Sequence, residues 1–288
     1  MGKIRYLCFN IFSIMAQIDI DAVLREKAPK ASRYVPRAVI SWLKRIIHQE
    51  EINEVLREKW DATPQEFIHA AFQKLGVSYR VSGLERLDPE GRYLFVSNHP
   101  FGGMDGMMLA DKLIDCFGDV RVVVNDLLMH LEPLRPLWIP VNKHGSQSSA
   151  YARRFDEAFR GPLPILTFPA GLCSRRKKGV VCDLEWRPNF LKKARATGRQ
   201  IVPIHVEGEL SNRFYRLSNL RTALGLRFNI EMLYLADEMF LQRGRTFEIR
   251  VGAPIDEAEL ASQGTLREQA AYVKRCCYAL SPEQKKKK

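Results

Sequence analysis

The feature that most constrains this chain is a change of period near residue 77. From there on, short apolar runs recur at 77–81, 93–97, 120–124, 137–141, 165–168, 201–206, 229–235 and 247–251. Most are continuous rather than alternating, which is the pattern of strands covered on both faces. Helical segments lie between several of them, at 146–159 and at 189–197 before Gly198, and a last helix falls near 266–280. Apolar strands alternating with helices predict an α/β fold with a mostly parallel central sheet flanked by helices. Pro203, inside one such run, predicts an edge position or a bulge.

Residues 1–76 read differently, as an N-terminal helical cap. Pro36 is placed to start a helix, and Val39, Ile40, Leu43, Ile46 and Ile47 follow at helical spacing. Thr63-Pro64-Gln65-Glu66 spells a capping box, and Gly76 a stop. The expected organisation is a cap over 1–76, an α/β domain over 77–280 and a basic disordered tail over 281–288. There is no internal repeat.

Composition narrows the functional classes. The 288 residues carry 45 Lys+Arg against 33 Asp+Glu, a net charge of +12, with 46% hydrophobic residues. That is a globular composition. The longest uncharged stretches, 6–18 and 161–174, hold 13 and 14 residues. A spanning helix needs roughly 20, so no transmembrane helix is expected. The apolar run after Lys3 and Arg5 lacks a small-residue cleavage site, so export is not expected either. It reads either as a monotopic membrane-interface segment or as a packed core element. The six cysteines show no disulfide or zinc framework and read as reduced thiols of a cytoplasmic protein. The positive balance favours an anionic partner.

The chemistry gathers where apolar runs end. Phe95-Val96-Ser97-Asn98 leads into His99, a turn containing Gly102 and Gly103, and then Asp105. Ligands of open α/β sheets bind beyond the carboxyl ends of strands. A His there can take a proton from a hydroxyl, and a carboxylate on its other ring nitrogen fixes the tautomer. Taken alone, the pattern also fits a tight turn with an exposed His and a capping Asp. A second run ends in Phe168-Pro169-Ala170-Gly171-Leu172-Cys173-Ser174, followed by Arg175, Arg176, Lys177 and Lys178. Turn amides plus guanidinium groups make an anion site, although a solvated basic loop has the same composition. Cys173 reads as a buried, inert thiol. His205 and Glu207 share a strand face, but no ligand spacing joins them to another His, so no metal is expected.

The ordered trio resembles the glycerolipid (lysophospholipid) acyltransferase superfamily over roughly residues 80–210: Asn-His, Gly-rich turn, Asp; then Phe-Pro-x-Gly with a basic tail; then Val-Pro-Ile after a Gly-terminated helix. The wording Asn98-His99-Pro100-Phe101-Gly102-Gly103-Met104-Asp105-Gly106 is similar to bacterial O-acyltransferases of aminolipid synthesis, of the ornithine-, glycine- and serine-lipid type, often labelled hemolysin-like. The resemblance implies transfer of a fatty acyl chain from acyl carrier protein or coenzyme A to the hydroxyl of a lyso-lipid, a 3-hydroxyacyl aminolipid. It implies His99 and Asp105 as the catalytic pair and no cofactor beyond the donor thioester. The implied substrate contacts are Asn98, Gly102, Gly103, Lys143, Gly171, Arg175 and Arg176. It further implies a peripheral enzyme on the anionic inner face of the cytoplasmic membrane.

The sequence departs from the family pattern at three places. Five residues rather than four separate the His from the Asp, which the second glycine is expected to absorb as a bulge. Ala170, Leu172 and Cys173 replace the usual Glu, Thr and Arg of the third block, so an anion-holding arginine must be displaced to Arg175 or Arg176. Lys143 stands where an arginine is usual. The loss of the usual third block points away from a glycerol-phosphate acceptor. The readings in competition are therefore a 1-acylglycerol-3-phosphate or glycerol-3-phosphate acyltransferase and, in a different class, a non-catalytic basic module. For nucleic acid, no zinc pattern, RNP-like run or helix-turn-helix is present.

Overall fold

The computed structural model describes residues 17–27, 29, 32–141, 149–226 and 228–282. Four helices come first: α1 (Ile20–Lys27), α2 (Arg37–Ile46), α3 (Gln49–Glu58) and α4 (Pro64–Leu75). The capping box forms at α4, where the Thr63 side chain accepts from the Glu66 amide and the Glu66 carboxylate accepts from the Thr63 amide. Gly76 ends the helix at φ 61°, a left-handed conformation that costs a residue without Cβ little.

Strands and helices then alternate through β1 (Ser78–Ser82), β2 (Tyr93–Ser97), α5 (Met104–Phe117), β3 (Arg121–Asn125), β4 (Trp138–Val141), α6 (Ser149–Arg160) and β5 (Ile165–Thr167). After a small hairpin of β6 (Arg175–Lys177) and β7 (Val180–Cys182) come α7 (Asn189–Thr197), β8 (Gln200–Val206), α8 (Asn212–Ala223), α9 (Leu235–Phe240), β9 (Thr246–Val251), α10 (Glu257–Ala261) and α11 (Leu266–Ala279). The seven-stranded sheet has the order β1-β9-β8-β2-β5-β3-β4. Strands β8, β2, β5, β3 and β4 are mutually parallel, β9 runs antiparallel to β8, and β1 is parallel to β9.

The alternation of side chains across the sheet separates two cores. Phe95 points into one with Leu56, Ile68, Met108 and Leu113, from α3, α4 and α5. Leu94 and Val96 point into the other with Phe159, Trp186, Leu191 and Val273. Helices α3 and α4 thus share the first core with the sheet, while α1 and α2 bury Ile20, Leu43 and Ile46 in a smaller cluster against Leu233 and Tyr234.

Two expectations are corrected here. Residues 229–235 form no strand: a 3-10 turn covers Ile230–Tyr234 and leads into α9. Its second residue is Glu231, fully buried against arginines, which makes the run amphipathic rather than continuously apolar. Pro203 lies at neither an edge nor a bulge, because β8 sits between β2 and β9. Its carbonyl accepts from the Gly252 amide on the β9 side, where regular pairing begins only at Ile204 and Val251. The N–H and C=O of one strand residue face the same neighbour, so the missing donor costs the β2 ladder nothing.

Candidate active site

The chain leaves β2 for α5, on one face of the sheet, and leaves β5 for the hairpin and α7, on the other, so two loops part at the carboxyl ends of adjacent strands. His99 sits in the first loop. Its Nδ1 lies 3.0 Å from Oδ2 of Asp105, which is fully buried in the first turn of α5. The same carboxylate accepts from the Phe101 amide at 3.0 Å and, through Oδ1, from the Gly106 amide at 2.9 Å. Charge-assisted bonds of this kind hold a carboxylate in one orientation. The five-residue spacer is absorbed by the first glycine rather than the second: Gly102 has φ 82°, while Gly103 has φ −121°. A Cβ on Gly102 would lie 2.9 Å from a terminal methyl of Leu235, which would have to shift, and the positive φ itself disfavours a side chain there.

With Nδ1 bound, Nε2 is the ring nitrogen left for a substrate. The ring stacks on Phe168 at 4.0 Å between centroids, which fixes its plane. The backbone is fixed as well. The His99 amide donates to Asp183 at 3.2 Å, and the His99 carbonyl accepts from the Ser174 amide at 2.8 Å. Buried Asp183 also accepts from the Ser174 hydroxyl at 2.6 Å and from the Trp186 indole at 2.8 Å. Burial pushes its carboxyl up from the usual range, against the pull of these donors.

His99 opens on a cleft of about 510 Å³. Gly102, Gly103 and Gly171 line it beside His99, and its walls are otherwise largely apolar, with Val55, Phe67, Val122, Met232 and Leu235 among them. A second imidazole, His130, also faces it. The volume and lining are those of a small-molecule site.

Other expected contacts lie elsewhere. Asn98 is buried, and its amide clamps β8, donating to the Val206 carbonyl at 2.9 Å and accepting from the Val206 amide at 2.8 Å. It ties two strand ends together and does not line the cleft. Arg175 turns inward and is 5% exposed. Its guanidinium bonds the Cys173 carbonyl at 2.7 Å and Glu231 at 2.9 Å, over the ring of Phe214. Arg176 lies over Tyr215 and pairs with Asn212 and with Glu209, the latter at 3.0 Å. Neither arginine lines the cleft, which corrects the expectation of a paired anion site: strand alternation in β6 sends one inward and gives the other a surface partner. Lys143 lies outside the described residues. Cys173 is fully buried, and desolvation pushes its thiol up to about 11.

Sequence reasoning missed Asp183, His130 and the Met232–Leu235 wall. The only local signal for the first is Asp183-x-x-Trp186 after a turn. The others are far in sequence from the loop they meet. Among the described residues, no cluster of His, Cys, Asp or Glu is placed to hold a metal, and no helix is long and apolar enough to cross a membrane.

Comparison with known proteins now bears on this geometry. Over 264 residues the chain is 45% identical to a lyso-glycine lipid O-acyltransferase of Bacteroides thetaiotaomicron, covering 91% of this chain and 97% of that protein. It is 44% identical to a protein of the same name from Phocaeicola vulgatus, covering 91% and 95%. The crystal structure of the 1-acyl-sn-glycerophosphate acyltransferase of Thermotoga maritima is similar at 19% identity and a TM-score of 0.45, covering 97% of this chain and 98% of that one. A family model described as acyltransferase matches residues 22–285. The chain is an enzyme, and it belongs to the acyltransferase family.

Proposed function

We propose that this enzyme moves a fatty acyl chain from an acyl thioester, carried by acyl carrier protein or coenzyme A, to the hydroxyl of a lyso-aminolipid, with a lyso-glycine lipid as the acceptor. The observation that carries the reading is His99, held by buried Asp105 and opening on an apolar cleft. In this reading Nε2 of His99 takes the acceptor proton as the oxygen attacks the thioester carbonyl. Asp105 steadies the imidazolium that forms. Backbone amides at Gly102 and the start of α5 stabilise the tetrahedral oxyanion. The intermediate then expels the thiolate, which takes the proton back from His99. An ester has formed, a thioester has broken, and no acyl-enzyme and no cofactor are needed.

The two relatives' names supply the acceptor. Among the described residues no arginine lines the cleft, and its one lysine, Lys74, is paired with Glu54. We further propose that the enzyme works as a peripheral protein at the anionic cytoplasmic face of the membrane.

The test is acyl transfer by purified enzyme to N-(3-hydroxyacyl)glycine, to lysophosphatidic acid and to glycerol 3-phosphate, with products identified by mass spectrometry. Diacylated glycine lipid is the expected product. Phosphatidic or lysophosphatidic acid as the sole product would overturn the acceptor assignment.

A further inference from the structure

We propose that the end of α8 and the turn after it, presenting Leu220, Leu224, Leu226 and Phe228, form the surface on which the enzyme seats on an anionic lipid bilayer. The inference rests on the reading of the acceptor as a bilayer lipid and specifies where the bilayer is met.

Exposure marks the patch. The four side chains are 56%, 63%, 53% and 69% exposed, within nine residues of chain. Scattered surface apolar residues need no explanation, but a contiguous group does. Helix α8 buries Phe214, Tyr215 and Ser218 on its inner face. Leu220 and Leu224 are four residues apart and so lie one above the other on the outer face. Arg216, exposed, precedes Leu220 by the same interval on that face. An outward row of Arg, Leu and Leu continuing into Leu and Phe is the composition of an interfacial segment, with its apolar residues in the headgroup boundary and its cations on anionic lipid.

The turn is braced rather than free to fold back over its leucines. Arg221 donates to the Leu226 carbonyl at 2.9 Å and lies 3.0 Å from buried Glu231. The Leu226 amide returns to the Arg221 carbonyl at 3.1 Å. Holding large apolar side chains in water is unfavourable by roughly 25 cal/mol per Å², so a braced apolar turn points to a partner that covers it.

Continuity with the cleft says which partner. The chain runs from Phe228 directly into the segment that carries Met232 and Leu235 into the cleft wall. Across that segment, Trp42 of α2 packs edge-on against Tyr234. The start of α2 exposes Val39, with Tyr34 and the cations Arg33 and Arg37 nearby in sequence. Exposed apolar and cationic residues thus occur on both elements that flank one wall of the cleft, as a lipid passing from bilayer to active site requires. An acidic carrier protein would match the arginines but not four projecting apolar side chains, and a second copy would not match the cations.

The experiment is flotation with vesicles of phosphatidylcholine, with and without phosphatidylglycerol, paired with acyl transfer to substrate in detergent micelles. Wild-type enzyme should float with the mixed vesicles, less with neutral ones, and less again as salt rises. The triple variant Leu224→Ser, Leu226→Ser, Phe228→Ser should lose about 10²-fold or more in vesicle partition, while keeping its melting temperature and micellar activity. Arg216→Glu should lose binding to mixed vesicles selectively. Undiminished vesicle binding by the triple variant would overturn the proposal. So would a variant that floats normally but has a raised KM for acyl carrier protein, or one that only turns a dimer into a monomer. If patch-dependent flotation is found but no glycine lipid is acylated in micelles, the acceptor reading fails and the docking surface stands.

Discussion

Replacing Glu231 should cost the fold far more than it costs substrate binding. Fully buried, Glu231 lies 2.9 Å from Arg175 and 3.0 Å from Arg221, with the Ser218 hydroxyl at 3.4 Å. It also anchors the segment whose Met232 lines the cleft. Glu231→Gln removes the carboxylate between two guanidinium groups and leaves Arg175 buried without its counter-ion. Breaking a buried pair from one side costs about 3–5 kcal/mol. For a chain of this size each kcal/mol lowers Tm by slightly less than about 2 °C. The expected loss is therefore on the order of 5–8 °C by calorimetry. Arg175→Met should show a loss of similar sign, with KM for the acceptor nearly unchanged well below the melting range. Combining Arg175→Met and Glu231→Leu with Arg221→Met should recover part of the loss, since apolar replacement of a whole buried ion cluster is often neutral. An Arg175→Met enzyme with unchanged Tm and a several-fold raised acceptor KM would refute this reasoning and return the guanidinium to the substrate.

Three further outcomes follow from the geometry. His99→Ala should lower acyl transfer by at least ~10²-fold, the low end for a general base, and Asp105→Asn should do the same by leaving the wrong tautomer; either variant keeping a tenth of wild-type turnover would remove the pair from the chemistry. His205 is held neutral, its pKa lowered from 6.5 to about 4 by burial and then by Arg250. The unfolded chain binds that proton first, so the contribution is complete above pH 6.5 and is lost as pH falls toward 4, on the order of 3 kcal/mol; His205→Phe should flatten stability against pH across that window in urea titrations. Cys173 is buried with its thiol pushed up to about 11, so Cys173→Ala should keep its activity, and an alkylating reagent should label exposed Cys116 first among the described cysteines without inactivating the enzyme.

What could be read in advance depended on how local the determining physics is. Strand β2 was legible because all five of its residues are buried, which forces a continuous apolar run. Helix α4 was legible because its cap, its first-turn proline and its terminal glycine are all encoded within fourteen positions. The direction of β9 was not, because a run of apolar residues carries no sign and only the long excursion through α8 and α9 reverses it. The hairpin β6–β7 escaped because its strands are three residues each and one of them is wholly cationic; its signal is the turn itself, with Lys178 and Gly179 both at positive φ. At the site, His99 and Asp105 lie six positions apart and declare themselves, whereas Asp183 meets the His99 amide across 84 positions.

The cationic run shows why residue type alone misled. Arg175, Arg176, Lys177 and Lys178 look like one electrostatic unit in the sequence, yet the hairpin divides them. Strand alternation sends Arg175 into the protein toward Glu231, and Arg176 lies over Tyr215 at the surface beside Glu209. Lys177 and Lys178 point to solvent at the turn. An isolated charge inside the protein would be prohibitively costly, so Arg175 implies Glu231, and Glu231 in turn gathers Arg221. Through Arg221 the pairing reaches the turn that holds Leu226 outward, and through Glu231 it reaches the wall that carries Met232 inward. In this reading the positive charge of the third block acts on catalysis by fixing the lipid-facing wall of the cleft, and acceptor choice falls to the few polar groups that do face the cleft, His99 and His130 among them.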